Sequence, residues 1–96
     1  MSRPAPIRIH IRPRLRTFGQ RIFRDWLATT LGGHIWAWRP LSAGELAHEV
    51  AHVRQWRRYG VQFVFLYPAA SVAAWRSGGH WYADNAFERE ARAAQA

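Results

Sequence analysis

The sequence predicts an α+β fold in which a small antiparallel sheet of about three strands is followed by three helices. Strand-prone runs occupy the first forty residues, and from residue 41 the apolar residues recur at spacings of three and four. The 96 residues suffice for one domain, 1–96, in which residues 1–6 are expected to be flexible.

The strands are predicted from alternation and from one turn. In residues 7–11 three isoleucines alternate with basic residues, as in a strand with one apolar and one basic face. Gly32-Gly33 separates the runs 28–31 and 34–38, and a glycine pair supplies the positive φ angles of a tight hairpin. Residues 21–26 fit either a short helix or the start of a strand.

The first of the three helices is predicted over residues 43–59. Ser42 and Glu45 have the spacing of a capping box, and Gly60 is a natural C-terminal residue for the helix. Its apolar stripe comes from Leu46, Val50 and residues one turn further on.

Two further helices are expected downstream. The run 61–75 predicts a helix that is bent or restarted at Pro68, and because it is apolar on most sides we expect it to be buried. After a loop at residues 77–79, Asn85 is a suitable N-cap for a last helix that ends near residue 94.

Composition excludes several kinds of site. There is no cysteine, which excludes disulfides, thiolate zinc sites and cysteine nucleophiles, so a metal must be held by His, Asp or Glu. The chain has 14 basic residues, all Arg, and 6 acidic residues, which gives a net charge of +8. Its hydrophobic content of 49% indicates a globular domain and not a disordered one. The chain shows no secretory signal, and its most apolar run is too short to span a bilayer, so a cytoplasmic protein without a membrane partner is expected.

The candidate chemistry lies in the segment His48-Glu49-Val50-Ala51-His52, an H-E-x-x-H motif. Residues four apart on a helix share one face, which lets two imidazoles converge on one Zn²⁺ ion. Glu49 lies beside His48 at the edge of that face, where its carboxylate can act as general base on a water molecule. The alternative interpretation is a pair of surface histidines with a solvated glutamate between them.

A third ligand is expected from another element, because a catalytic zinc uses three protein ligands. The acidic residues after the motif are Asp84, Glu88 and Glu90. Glu88 lies in the first turn of the last helix, and Glu90 lies about 200° around that helix, so the two cannot both face one metal. Glu88 could instead cap its helix through the Asn85-x-x-Glu88 spacing.

The segment LAHEVAHVRQWRRYG followed by YADNAFEREA resembles the gluzincin clan of zinc metallopeptidases, in particular its small single-domain minigluzincin-like members. It is also similar to zincin-like bacterial domains of unassigned function. The segment ATTLGGHIWAW resembles their hairpin before the active-site helix, so the likeness spans about residues 28–92. The resemblance implies that His48, His52 and Glu88 bind zinc and that Glu49 is the catalytic base of a peptidase.

The chain departs from the family pattern at two positions. The family often has Asp four residues after the ligand Glu, where it orients a ligand histidine, and Arg92 stands there instead. Ala86 replaces the Pro that commonly follows the Asn at position 85. We therefore expect weak or latent activity.

Other residues are candidates for substrate contacts. Tyr82 and His80, with Tyr67 behind them, could stabilise an oxyanion, although packing is the alternative role of each. The strand 34–38 is interpreted as an edge strand that could pair with an extended peptide through Ile35, Trp36 and Ala37, the alternative being an edge that is covered.

The alternative function is a non-catalytic, zinc-stabilised basic module that contacts a protein or nucleic-acid partner. Arg8, His10 and Arg12 would form its basic face, whose binding would weaken with salt. A nucleic-acid partner is disfavoured because no nucleic-acid motif is present. The favoured prediction is a zinc metallopeptidase acting on a peptide or protein substrate.

Overall fold

A computed structural model describes residues 6–23 and 26–95. Its elements are β1 (Arg8–Ile11), α1 (Leu15–Ile22), β2 (Ala28–Leu31), β3 (His34–Ala37), α2 (Ala43–Tyr59), a 3₁₀ turn (Gly60–Gln62), α3 (Phe63–Arg76) and α4 (Ala86–Gln95). The α+β class, the three strands and the three helices after the sheet are confirmed. Apart from Pro6, the N-terminal segment expected to be flexible lies outside the described residues.

The three strands form a mixed sheet in the order β1-β3-β2. β2 and β3 form the predicted antiparallel hairpin, with Gly32 at φ 59° in its turn. β1, however, pairs with β3 in parallel, so the prediction of a purely antiparallel sheet is wrong. Helix α1 lies in the connection between β1 and β2. The β2–β3 hairpin then folds back so that its second strand, β3, lies between β1 and β2.

The central position of β3 overturns the prediction that it is a substrate-binding edge strand. Ile35 pairs with Ile9 on one side and with Thr30 on the other, and Trp36 and Ala37 are likewise paired on both sides. Backbone groups used in two ladders cannot accept an extended peptide. The side chains of Ile35 and Ala37 are completely buried, as core residues rather than substrate contacts.

Helix α2 has the predicted bounds because both of its ends are locally encoded. The Ser42 hydroxyl accepts a hydrogen bond from the Glu45 amide at 3.2 Å, and the Glu45 carboxylate accepts one from the Ser42 amide at 2.8 Å. Gly60 ends the helix with φ 63°. One face of α2 meets the sheet, where the Thr30 hydroxyl donates to the Glu49 carbonyl at 3.4 Å.

Helix α4 packs along α2 and starts at the predicted cap. The Asn85 side-chain oxygen accepts a hydrogen bond from the Phe87 amide at 2.9 Å, and its side-chain nitrogen donates to the Tyr67 carbonyl and the Ser71 hydroxyl of α3. Asn85 therefore fixes the start of α4 against α3 while it satisfies an amide of the first helical turn. The candidate site lies between α2 and α4.

Helix α3 runs through Pro68 as one helix, and the prediction that it is buried is wrong. Within its described residues only Phe63 is buried, whereas Val61 in the preceding turn is 77% exposed and Phe65 is 74% exposed. The helix packs on α2 and α4 from one side, and none of the other elements in residues 6–23 and 26–95 forms a layer over its opposite side. In the described part of the chain no helix is both long and apolar enough to cross a bilayer.

The segment 21–26, left open between helix and strand, is divided by the structure. Arg21 and Ile22 end α1, which begins earlier than the pattern indicates, and residues 24 and 25 lie outside the described residues. Gly19 of α1 lies directly against the Trp26 ring, leaving no room for a side chain at that position.

Candidate metal centre

Two histidines of α2 and one glutamate of α4 converge between the helices. The Oε2 atom of Glu88 lies 3.2 Å from His48 Nε2, and its Oε1 atom lies 2.9 Å from His52 Nε2. Both histidines come from the same face of α2, because they are four residues apart. The sequence prediction that these three residues share one site agrees with this arrangement.

The spacing of these atoms fits a metal ion. The two separations from Glu88 are hydrogen-bond lengths to different carboxylate oxygens, and each is within a few tenths of an ångström of the roughly 3.3–3.4 Å between neighbouring ligand atoms of a tetrahedral zinc centre with bonds of about 2.0–2.1 Å. The ligand atoms of His48, Glu49 and His52 also lie within 4.8 Å of one another, so this group can hold a metal ion. Two imidazoles and carboxylate oxygens form a donor set typical of zinc.

Glu49 adjoins the two imidazoles from the buried side of α2. Its residue is only 7% exposed, and this burial raises the pKa of its carboxyl, partly offset by the positive potential of His52 and His48. A carboxylate whose pKa is shifted towards neutrality is better matched to proton transfer at physiological pH.

His52 is oriented by a residue of its own helix. The His52 Nδ1 atom and the Gln55 side-chain oxygen are 2.8 Å apart, and Gln55 is 1% exposed. The Gln55 nitrogen donates to the Phe87 carbonyl at 3.0 Å and to the Glu90 carboxylate at 3.3 Å. Since both partners are acceptors, the amide must present its oxygen to His52, which places a hydrogen on Nδ1 and directs Nε2 to the site.

His48 has a corresponding partner on α4. Its Nδ1 atom lies 3.1 Å from the side-chain oxygen of Gln95. The Asp of the family pattern is absent at position 92, yet both histidines have partners at Nδ1, because Gln55 and Gln95 take that role. Arg92 instead donates to the Ala83 carbonyl and ties the turn before α4 to that helix.

A tyrosine hydroxyl holds the Glu88 carboxylate, and a second tyrosine lies near it. Tyr67 donates to Glu88 Oε1 at 2.9 Å, and Tyr82 is close enough for the Glu88 charge to affect its pKa. Burial alone would raise the pKa of Glu88, but hydrogen bonds from His48, His52 and Tyr67 outweigh it and hold that pKa far below its usual range. Burial and the Glu88 charge raise the pKa of both tyrosines, which stay protonated donors.

The remaining predicted residues lie in the turn before α4. The His80 Nδ1 atom accepts hydrogen bonds from the Tyr82 and Ala83 amides at 3.1 and 3.0 Å. Asp84, a candidate third ligand, accepts a hydrogen bond from the His80 amide at 2.6 Å. His80 and Asp84 thus shape the turn that carries Tyr82, and Glu90 lies behind Gln55 and not among the converging atoms.

Gln55 and Gln95, the partners of the histidines, are not among the site residues that the sequence predicts. A signal for Gln55 was present, because it follows His52 by three residues on a predicted helix. The sequence holds no signal for Gln95, whose contact with His48 depends on how α4 crosses α2.

Comparisons of this chain with protein-family models, with curated proteins and with solved structures found no match. The function is therefore argued from the geometry of the site and from the motif that the chain itself carries.

Proposed function

We propose that this chain is a zinc-dependent metallopeptidase-like domain in which His48, His52 and Glu88 hold the ion. The observation that carries the proposal is the convergence of both imidazole Nε2 atoms on one buried carboxylate, with the Nδ1 atoms engaged by glutamines. This arrangement presents three oriented ligand groups to one point, as a catalytic zinc site requires. A bound zinc ion would supply a Lewis acid that polarises the substrate carbonyl and makes water more acidic.

Glu49 is the proposed general base. It would accept a proton from the attacking water as the water oxygen bonds to the peptide carbonyl carbon. The same proton would pass to the leaving nitrogen as the C–N bond breaks, giving a carboxylic acid and an amine. The burial that raises its pKa supports this role, because a more basic carboxylate accepts a proton from water more readily.

Tyr82 is the proposed donor to the oxyanion. Burial and the nearby Glu88 charge raise the pKa of Tyr82, which keeps the phenol proton available for donation. Tyr67 already donates to Glu88, so we assign it to holding that carboxylate in place.

The second candidate is a zinc-stabilised module without catalysis. Its support is that the converging groups join α2 to α4, which makes a bound ion a link between helices distant in sequence. Both candidates predict zinc binding, and they differ in whether Glu49 is needed for a reaction.

Replacement of Glu49 by Gln separates the two. If the site is catalytic, wild-type protein loaded with zinc hydrolyses an unstructured protein substrate. The Glu49→Gln variant should retain the zinc, but its rate of hydrolysis should be lower by a factor of about 100 or more. Mass spectrometry of the products and metal analysis of each variant provide the measurements. Glu45→Gln, on the same helix but at its N-terminus, is the control and should retain activity.

Inertness of the zinc-loaded wild type towards a broad peptide library would exclude the peptidase and leave the structural module. Equal activity in wild type and Glu49→Gln would indicate a contaminating protease. In the structural case, both proteins should bind zinc equally and melt at similar temperatures.

A further inference from the structure

Helix α3 and the turn before it carry an apolar stripe that points away from the protein. The large side chains of this outward stripe are between 50% and 77% exposed: Val61, Val64, Phe65, Val72 and Trp75. They recur at spacings of three, one, seven and three, which places them on one side of a helix together with exposed Pro68. Large apolar surfaces that form one continuous patch commonly mark an interaction site.

The opposite side of α3 faces the candidate metal centre. Phe63 is buried there, Tyr67 donates to Glu88, and Ser71 accepts a hydrogen bond from Asn85. A surface that docks on the outward stripe would therefore leave these contacts in place. The inference does not depend on the proposed enzymatic function.

The charged residues that flank the outward stripe along the chain are basic, and the nearest carboxylate, Asp84, lies against Gly79 just after α3. Residues 50–83 contain no Asp or Glu, and Arg58 and Arg76 lie just before and at the end of the helical segment. The whole chain carries a net charge of +8. An apolar stripe with basic residues at both ends is complementary to an anionic lipid surface, where the arginines meet headgroups and the apolar side chains enter the acyl boundary.

A second copy of the chain fits this surface less well. A symmetric pair would place two +8 chains face to face and bring their arginines together. A stable interface also uses roughly 20–30 residues on each side, whereas this stripe offers five large apolar side chains.

We infer that α3 docks flat on an anionic membrane surface through the outward stripe. A helix of 14 residues is about 21 Å long, less than the roughly 30 Å of a bilayer core, so it lies on the surface and does not span it. Trp75 then sits at the headgroup level, which indole rings favour. The sequence expectation of no membrane partner rests on the length of the apolar run, which excludes spanning a bilayer but not lying along its surface.

Sedimentation with lipid vesicles tests this inference on the full chain. We expect binding to vesicles of phosphatidylcholine with about 30% phosphatidylglycerol, weak binding to pure phosphatidylcholine, and loss of binding as salt rises from about 0.05 to 0.5 M. Phe65→Ser should weaken binding by about tenfold or more, because the buried ring supplies much of the apolar contact. Phe18→Ser is the matched control, since Phe18 of α1 is 67% exposed yet lies outside the stripe.

Circular dichroism confirms that both variants are folded before they are compared. The inference is overturned if wild-type protein does not bind the anionic vesicles, or if Phe18→Ser weakens binding as much as Phe65→Ser. It is also overturned if light scattering shows a dimer that Phe65→Ser dissociates, because a second copy would then cover the stripe. Unchanged binding of a Val61→Ser, Phe65→Ser double variant would likewise contradict it.

Discussion

Gln55 shows how one amide determines the chemistry of a neighbouring imidazole. Its nitrogen has two acceptor partners, the Phe87 carbonyl and the Glu90 carboxylate, so its oxygen is left for His52. The Nδ1 atom of His52 thereby keeps its hydrogen, so Nε2 is the ring atom that can bind a metal once it gives up the hydrogen that it donates to Glu88. Because Gln55 is almost completely buried, water cannot replace it.

Replacing Gln55 by Met is expected to weaken zinc binding by about 10- to 100-fold while the fold is retained. Methionine has a similar length and fills the space, but it accepts no strong hydrogen bond from His52. The affinity is measured by competition with a chromogenic zinc chelator.

Gln62→Met provides the control, because Gln62 is exposed in the 3₁₀ turn. Its zinc affinity should equal that of the wild type. If Gln55→Met binds zinc as tightly as the wild type, the orientation of His52 does not depend on this amide.

The two glutamates of α4 are expected to respond differently to truncation. Glu88→Ala should remove stoichiometric zinc, because Glu88 is the carboxylate that both Nε2 atoms face. Glu90→Ala should retain zinc with lower affinity, since Glu90 contacts only Gln55 in this network. Metal analysis of protein purified without chelator gives the stoichiometry, and the reverse pattern would make Glu90 the ligand.

At the scale of the element, the N-terminus of α2 is stabilised by its capping box and by an ion pair. Arg39 approaches the Glu45 carboxylate through two hydrogen bonds of 2.9 and 2.8 Å. The hydrogen bonds from Arg39, which have the larger effect, and those from Ser42 lower the pKa of Glu45 from its ordinary value of 4.5 to about 2. The start of the helix that carries both histidines is therefore fixed by an ionised side chain.

Glu45→Gln is expected to lower the free energy of unfolding at neutral pH but not in strong acid. A carboxyl whose pKa is depressed in the folded state stabilises the fold above its unfolded pKa of about 4.5, and this contribution is lost as pH falls towards 2. Urea unfolding of both proteins, metal-free, should show a constant difference from pH 7 to 5 that narrows below 4.5. A difference that is the same at pH 3 and pH 7 would contradict the role of the charge.

At the scale of the whole molecule, the interior is unusually polar. The buried apolar residues in the described part of the chain are Ile35, Ala37, Ala51, Val53, Phe63 and Ala91. An equal number of buried residues are polar or charged: Thr30, Glu49, His52, Gln55, Asn85 and Glu88. Such an interior supplies little hydrophobic stabilisation, so a metal ion that links α2 and α4 would contribute strongly to the fold.

Removal of zinc is accordingly expected to lower the melting temperature by more than about 10 °C. Zinc present at a hundredfold excess over its dissociation constant stabilises the folded chain by about 2.7 kcal/mol, and 1 kcal/mol corresponds to about 4–8 °C in a domain of this size. Scanning calorimetry with and without chelator measures the change. Glu88→Ala serves as the control and should melt at the same temperature in both conditions.

Local patterns determined much of this architecture. The capping box of α2, the glycine that ends it, the hairpin turn and the Asn85 cap are each encoded within a few neighbouring residues, and the structure confirms all four. His48 and His52 lie on the same face of α2 because they are four residues apart on one helix. The two histidines of the candidate site could therefore be predicted before any tertiary contact was known, whereas the place of Glu88 beside them depends on how α4 packs on α2.

Contacts between distant elements were decided only by the tertiary structure. The parallel pairing of β1 with β3 depends on where the hairpin inserts, and the contact of His48 with Gln95 depends on how α4 crosses α2. The exposure of α3 depends on how many layers of structure pack around it. A helix that is apolar on most sides has the same sequence pattern whether it is buried in the protein or exposed on its surface. Short-range patterns specify a residue's own helix or turn, but packing specifies its neighbours from the rest of the chain.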